Sequence, residues 1–171
     1  MTLDEALARV LKSYEHYYTV VREGVQPPFL AEALFLQHDE RYFISRSIRL
    51  SESDAREHIY FAAVDALDAQ RLRELDEAAW SRGLALVKPE WGHRGSDIGL
   101  VILTNRLEPE AARLIRAARR SKGYAFSLKG WTNYRLIAME LPSGATACNR
   151  LGRQTEETLR NILLQSKGIV T

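Results

Sequence analysis

Arginine carries a planar guanidinium that grips phosphates and carboxylates through paired donors, and in this 171-residue chain its placement is uneven. Arg113, Arg116 and Arg120 fall at i, i+3 and i+7, which aligns them on one face if residues 109–122 are helical, opposite Leu114 and Ala118. Arg150 and Arg153 stand just ahead of a further helical pattern, where unpaired backbone N–H groups and the helix dipole also favour an anion. Lys129, Trp131, Asn133 and Arg135 follow one another through a turn and a strand, mixing a stacking ring with charged donors. Such a mixture suits phosphates or unstacked bases. The plain alternative is a solvated helix face with ordinary surface ion pairs.

A second constellation is acidic and imidazole-bearing. Glu90, Trp91, His93, Arg94, Ser96 and Asp97 crowd one Gly-flanked loop, and Glu57 lies on an apolar run upstream. His93 and Asp97 could begin a metal site, but a loop spacing does not place them on one face and a pair still needs a third ligand. In the ordinary reading Ser96 or Asp97 satisfies backbone donors at the loop end and Trp91 covers a sheet edge. His16, His38 and His58 are isolated among non-ligands, and no metal site is expected. The single cysteine, Cys148, excludes an internal disulfide and a thiolate zinc cluster, and reads as a small, largely buried side chain. Neither GxGxxG, GxxxxGK[ST] nor GxSxG occurs, so nothing calls for a dinucleotide, a nucleoside triphosphate or serine-hydrolase chemistry, and no cofactor is expected.

The composition, 46% hydrophobic and 27% charged, is that of a globular chain. No apolar run approaches the roughly 20 residues that span a bilayer, and the acidic, amphipathic N-terminus is unlike a signal peptide. A cytoplasmic protein without membrane association is therefore expected. The formal net charge of +2 hides an asymmetry: residues 106–171 hold twelve Lys+Arg against five Asp+Glu, and the first 105 hold twelve against seventeen. Either the basic end attracts an anionic partner, or the two ends meet across a homodimer.

These side chains are positioned by a regular series of elements. Thr2 and Glu5 are spaced as a capping box ahead of a helix running to about Tyr18. Residues 19–30, with Gly24 and Pro27-Pro28, read as an extended connection; 33–37, 42–50 and 58–64 read as strands, the third central in a sheet. Asp68 caps a helix with Leu72, Leu75, Ala79 and Trp80 inward and Gly83 just past its end. Residues 98–104 form a strand covered on both faces, and Pro109 opens a helix ending at Lys122 with Gly123 closing it. Strands at 124–128, 134–141 and 145–148 precede a last helix over 155–165. The chain is thus expected to be one α/β (α+β) domain over residues 1–171. Its mixed sheet has six to seven strands flanked by helices, in the order α-β-β-β-α-β-α-β-β-β-α.

The order α-β-β-β-α-β over the first 105 residues resembles the core of the restriction-endonuclease-like superfamily. That resemblance implies an acidic residue two positions before a lysine. The five lysines, Lys12, Lys88, Lys122, Lys129 and Lys167, are preceded there by Val10, Leu86, Arg120, Ser127 and Gln165, so the nuclease signature is absent. The stretches KGYAFSLKGWTNYRLIAMEL, CNRLGR and HRGSDIGLVIL resemble a small uncharacterised family of bacterial proteins of unknown function, which implies a self-contained domain and offers no activity to carry over. The reading that follows is a non-catalytic module for an anionic partner, nucleic acid among the candidates, using Arg113, Arg116, Arg120, Lys129, Trp131, Arg150 and Arg153. The alternatives are a homodimeric or protein-interaction module, and a divergent metal-dependent enzyme built on Glu57, His93 and Asp97.

Overall fold

A computed structural model describes residues 1–36, 55–87, 95–124 and 130–164. Its centre is a seven-stranded sheet of strands β1 (Thr19–Val21), β2 (Ala31–Leu36), β3 (Ala55–Leu67), β4 (Ser96–Leu107), β5 (Ser121–Gly123), β6 (Trp131–Glu140) and β7 (Thr146–Cys148). The lateral order is β1-β2-β3-β4-β6-β5, with β7 also on β6; β3, β4 and β6 are parallel and the outer strands antiparallel. Helices α2 (Ala69–Leu86) and α3 (Pro109–Ala117) follow β3 and β4, as parallel connections require. Helices α1 (Leu3–Tyr14) and α4 (Arg153–Leu164) cover the opposite face.

Strand alternation sorts the core into two layers. Tyr60, Ala62, Ile98, Leu100, Ile102, Leu136 and Ala138 meet Leu72, Leu75 and Ala79 of α2 and Ala111 and Ile115 of α3. Ile59, Phe61, Val101, Leu103, Ile137 and Met139 meet Val10 and Leu11 of α1 and Leu159 and Leu163 of α4. Among the described residues no helix is long and apolar enough to cross a membrane.

The expected fold class and element order stand, although several boundaries differ. Helix α1 carries the expected capping box, with Glu5 N–H donating to Thr2 Oγ1 and Thr2 N–H to Glu5 Oε2, but it ends at Tyr14. The Tyr18 hydroxyl instead reaches Glu57 at 2.8 Å. Part of the expected connection pairs with β2 as strand β1, and the run 42–50 lies outside the described residues. Strand β3 extends past both ends of the expected run 58–64 to take in Glu57 and Asp65, where Arg135 and Tyr18 engage Glu57 and Asn105 donates to Asp65. Gly83 is inside α2, pressed on Ile98.

Helix α3 ends at Ala117 instead of Lys122, and residues 121–123 pair with β6. No glycine or proline stops it. Arg119 donates to the carbonyls of Arg116 at 3.0 Å and Ala118 at 2.8 Å, satisfying acceptors freed at the helix end, while strand pairing takes the chain onward. The arginine stripe therefore does not continue to Arg120.

Candidate anion-binding groove

Among the described residues, strand β6 has no full-length neighbour on its outer edge. β5 pairs with residues 131–133 and β7 with residues 137–139. Between them the buried Asn149 takes the place of a strand. Its Nδ2 donates to the Tyr134 carbonyl at 2.8 Å, its Oδ1 accepts from Leu136 N–H at 3.1 Å, and its own N–H donates to the Leu136 carbonyl at 3.0 Å. The same Oδ1 caps the 3-10 turn Arg150–Gly152 that leads into α4, accepting from Gly152 N–H at 2.9 Å. Gly152 is required by proximity: a Cβ there would lie 2.8 Å from the Leu136 carbonyl oxygen. Sheet edge, turn and helix start are thus pinned together.

This places the start of α4 beside the end of α3, with β7 between them. Arg116, Arg119, Arg150 and Arg153 line a groove of about 820 Å³ together with Thr146, Cys148, Asn149 and Glu156. All four arginines are exposed. Arg116 donates to the Thr146 carbonyl at 3.4 Å, and Arg119 is held by the α3 carbonyls. Among the described residues neither the Arg150 nor the Arg153 side chain has a hydrogen-bond or ion-pair partner.

The single carboxylate of the groove is already engaged. Glu156 accepts from Thr146 Oγ1, from Cys148 Sγ at 3.2 Å and from Arg160 Nε at 3.5 Å. The Thr146 hydrogen bond, above all, holds it below the usual carboxylate range. The Cys148 thiol is pushed up to about 11, first by burial and then by Glu156, against the pull of Arg153 and Arg116. At neutral pH the groove therefore offers four guanidiniums, one ionised carboxylate turned to its own donors, and a protonated thiol. It can hold anionic oxygens, and it has no activated nucleophile.

Of the seven residues read from the sequence as anion-binding, the structure gathers Arg116, Arg150 and Arg153 in the groove. Arg113 instead closes a bidentate pair with Glu110 at 2.7 and 2.9 Å. Arg120 reaches α2, pairing with Asp76 at 2.7 Å and Glu77 at 3.1 Å, with its guanidinium 5.8 Å from the centre of the Trp80 ring. It lines a second cavity, of about 420 Å³, between α2 and α3. Trp131 is 44% exposed at the start of β6, where its indole lies against Gly95, and it does not line the groove. Lys129 lies outside the described residues. Arg119 was missed because its role depends on where α3 ends. Asn149 could have been found, since an Asn three positions before Gly152 and just ahead of a helical pattern reads as an N-cap.

Glu57 and Asp97 are register neighbours on β3 and β4. Arg135 of β6 sits across them, at 2.8 Å from Glu57 Oε1 and 2.5 Å from Asp97 Oδ2, and Tyr18 and Asn133 take the other oxygens. His93 lies outside the described residues. The two carboxylates thus spend their lone pairs on a guanidinium, a phenol and an amide, and among the described residues no group of three His, Cys, Asp or Glu is placed to hold a metal ion.

No curated protein and no solved structure matches the chain. The family model of a domain of unknown function, DUF8052, matches residues 2–161, which take in every residue of the groove, so the chain belongs to that family.

Proposed function

We propose that the protein is a non-catalytic binding module that receives a phosphate-bearing partner in the groove between the ends of α3 and α4. One observation carries this reading: four arginines from two separate stretches of chain, the end of α3 and the turn into α4, converge there, and the one carboxylate among them is engaged by Thr146, Cys148 and Arg160. Guanidiniums crowded without counter-charges repel one another, and an anionic oxygen cluster removes that repulsion while supplying acceptors for their N–H groups. The absence of an activated nucleophile favours binding over chemistry.

Two probes test it. Labelled single-stranded and duplex DNA and RNA are followed by fluorescence anisotropy through a salt series, and inorganic pyrophosphate is followed by thermal melting. A ligand that binds only the folded protein raises its melting temperature, and phosphate contacts weaken with salt. The reading expects at least one probe to bind and to weaken about tenfold or more when Arg116→Ala and Arg153→Ala are combined, with Arg113→Ala unaffected. Silence of both probes at low ionic strength overturns it.

A further inference from the structure

Resting on that reading, we infer that the groove takes a compact anion, a terminal phosphate or diphosphate group, and does not serve as a stop along a polynucleotide backbone. The argument is one of charge layout. A nucleic-acid strand presents a phosphate about every 3.4 Å of rise, so a protein that follows the backbone offers a track of cations. Here the two described arginines that would extend a track along α3 and just beyond it are closed off. Arg113 is held in a fork by Glu110, and Arg120 is shared between Asp76 and Glu77.

The arginines left without a carboxylate partner at the ends of α3 and α4 form one compact cluster of positive charge. Arg150 and Arg153 come from one turn, and Arg116 and Arg119 from one helix end. Against Glu156 they leave a surplus of three positive charges in one groove, which matches a terminal diphosphate or a phosphomonoester better than a chain of singly charged diesters. A backbone-following site for unpaired strands also presents aromatic rings on which bases stack. The described lining contains none, and exposed Trp131 lies elsewhere. The N-terminus of α4, which Arg153 begins, lies at the groove, so the positive end of the helix dipole adds to the charge there.

The test compares three ligands on the full chain: inorganic pyrophosphate, and an oligonucleotide with either a 5′-phosphate or a 5′-hydroxyl, in a series of lengths. Calorimetry should give one pyrophosphate per chain, with affinity reduced about tenfold in Arg150→Ala and again in Arg153→Ala, both exposed positions. The oligonucleotide should bind only with its 5′-phosphate, irrespective of length, and pyrophosphate should displace it. Affinity that grows with length and ignores the terminal phosphate overturns this inference and leaves the anion-binding reading in place. If no ligand binds at low salt, both fall.

Discussion

Asn149 does the work of several residues with one amide. It supplies both a donor and an acceptor to the β6 edge and caps the turn that presents Arg150. Unmet buried polar groups cost about 1–3 kcal/mol each, so Asn149→Ala should lower stability by roughly 3 kcal/mol in a urea titration. Asn149→Asp should cost a similar amount although it keeps the acceptor, because a carboxylate oxygen would then face the Tyr134 carbonyl. An unchanged urea midpoint in the Asp variant would show that the donor half of the amide is dispensable. A second prediction concerns Glu156 and Cys148. Folding lowers the pKa of Glu156, so its contribution to stability is present above the unfolded value of about 4.3 and is lost as pH falls through the lower folded value. Glu156→Gln should flatten the acid limb of a stability-pH curve. The raised thiol has the opposite sense: its contribution is present below the unfolded value of about 8.5 and is lost as pH rises toward about 11. Native Cys148 should therefore resist iodoacetamide at neutral pH and react once urea unfolds the chain. At this scale the sequence was legible where a cue is local, as with Arg150 and Arg153, whose place at the start of a helix could be read though α4 already begins at Arg153. It was silent where partners are distant, as with Arg120, which finds Asp76 and Glu77 on another helix.

Elements were read most securely where a cap marked them. Thr2 with Glu5, Asp68 and Pro109 all open helices where expected. Ends were harder, for two different reasons. Glycine usually marks a stop, yet Gly83 is in α2 because the helix packs so closely on β4 that a Cβ would lie within 2.6 Å of the Ile98 side chain. Gly83→Ala should therefore destabilise the protein, overpacking costing about 1–3 kcal/mol against the roughly 1 kcal/mol gained in helix propensity. Pairing it with Ile98→Val should recover part of the loss, and a more stable single variant would disprove the close contact. Conversely, α3 stops without any breaker, because β6 recruits residues 121–123 as a strand. Helix propensity over 118–122 lost to a tertiary contact that no local pattern encodes.

Across the molecule, the two apolar layers explain why period and length sufficed for the fold class. The three parallel strands are covered on both sides, so their apolar runs are long, and the helices alternate with them as parallel connections demand. The charge asymmetry was equally visible, but its meaning was not. Of the described arginines in the C-terminal part, Arg113, Arg120 and Arg135 are consumed by Glu110, Asp76 and Glu77, and Glu57 and Asp97, whereas Arg116, Arg119, Arg150 and Arg153 at the groove pair with no carboxylate. The outer edge of β6 has a further consequence. Its shielding is piecemeal, and two of the three shields, β7 and Asn149, come after it in the chain. A chain cut after Leu141 would leave much of an apolar strand with open hydrogen-bonding groups, a template on which another copy can add its own strand. Such a fragment should aggregate, and light scattering during refolding would register it, whereas the full chain, which carries its own plug for that edge, should remain clear.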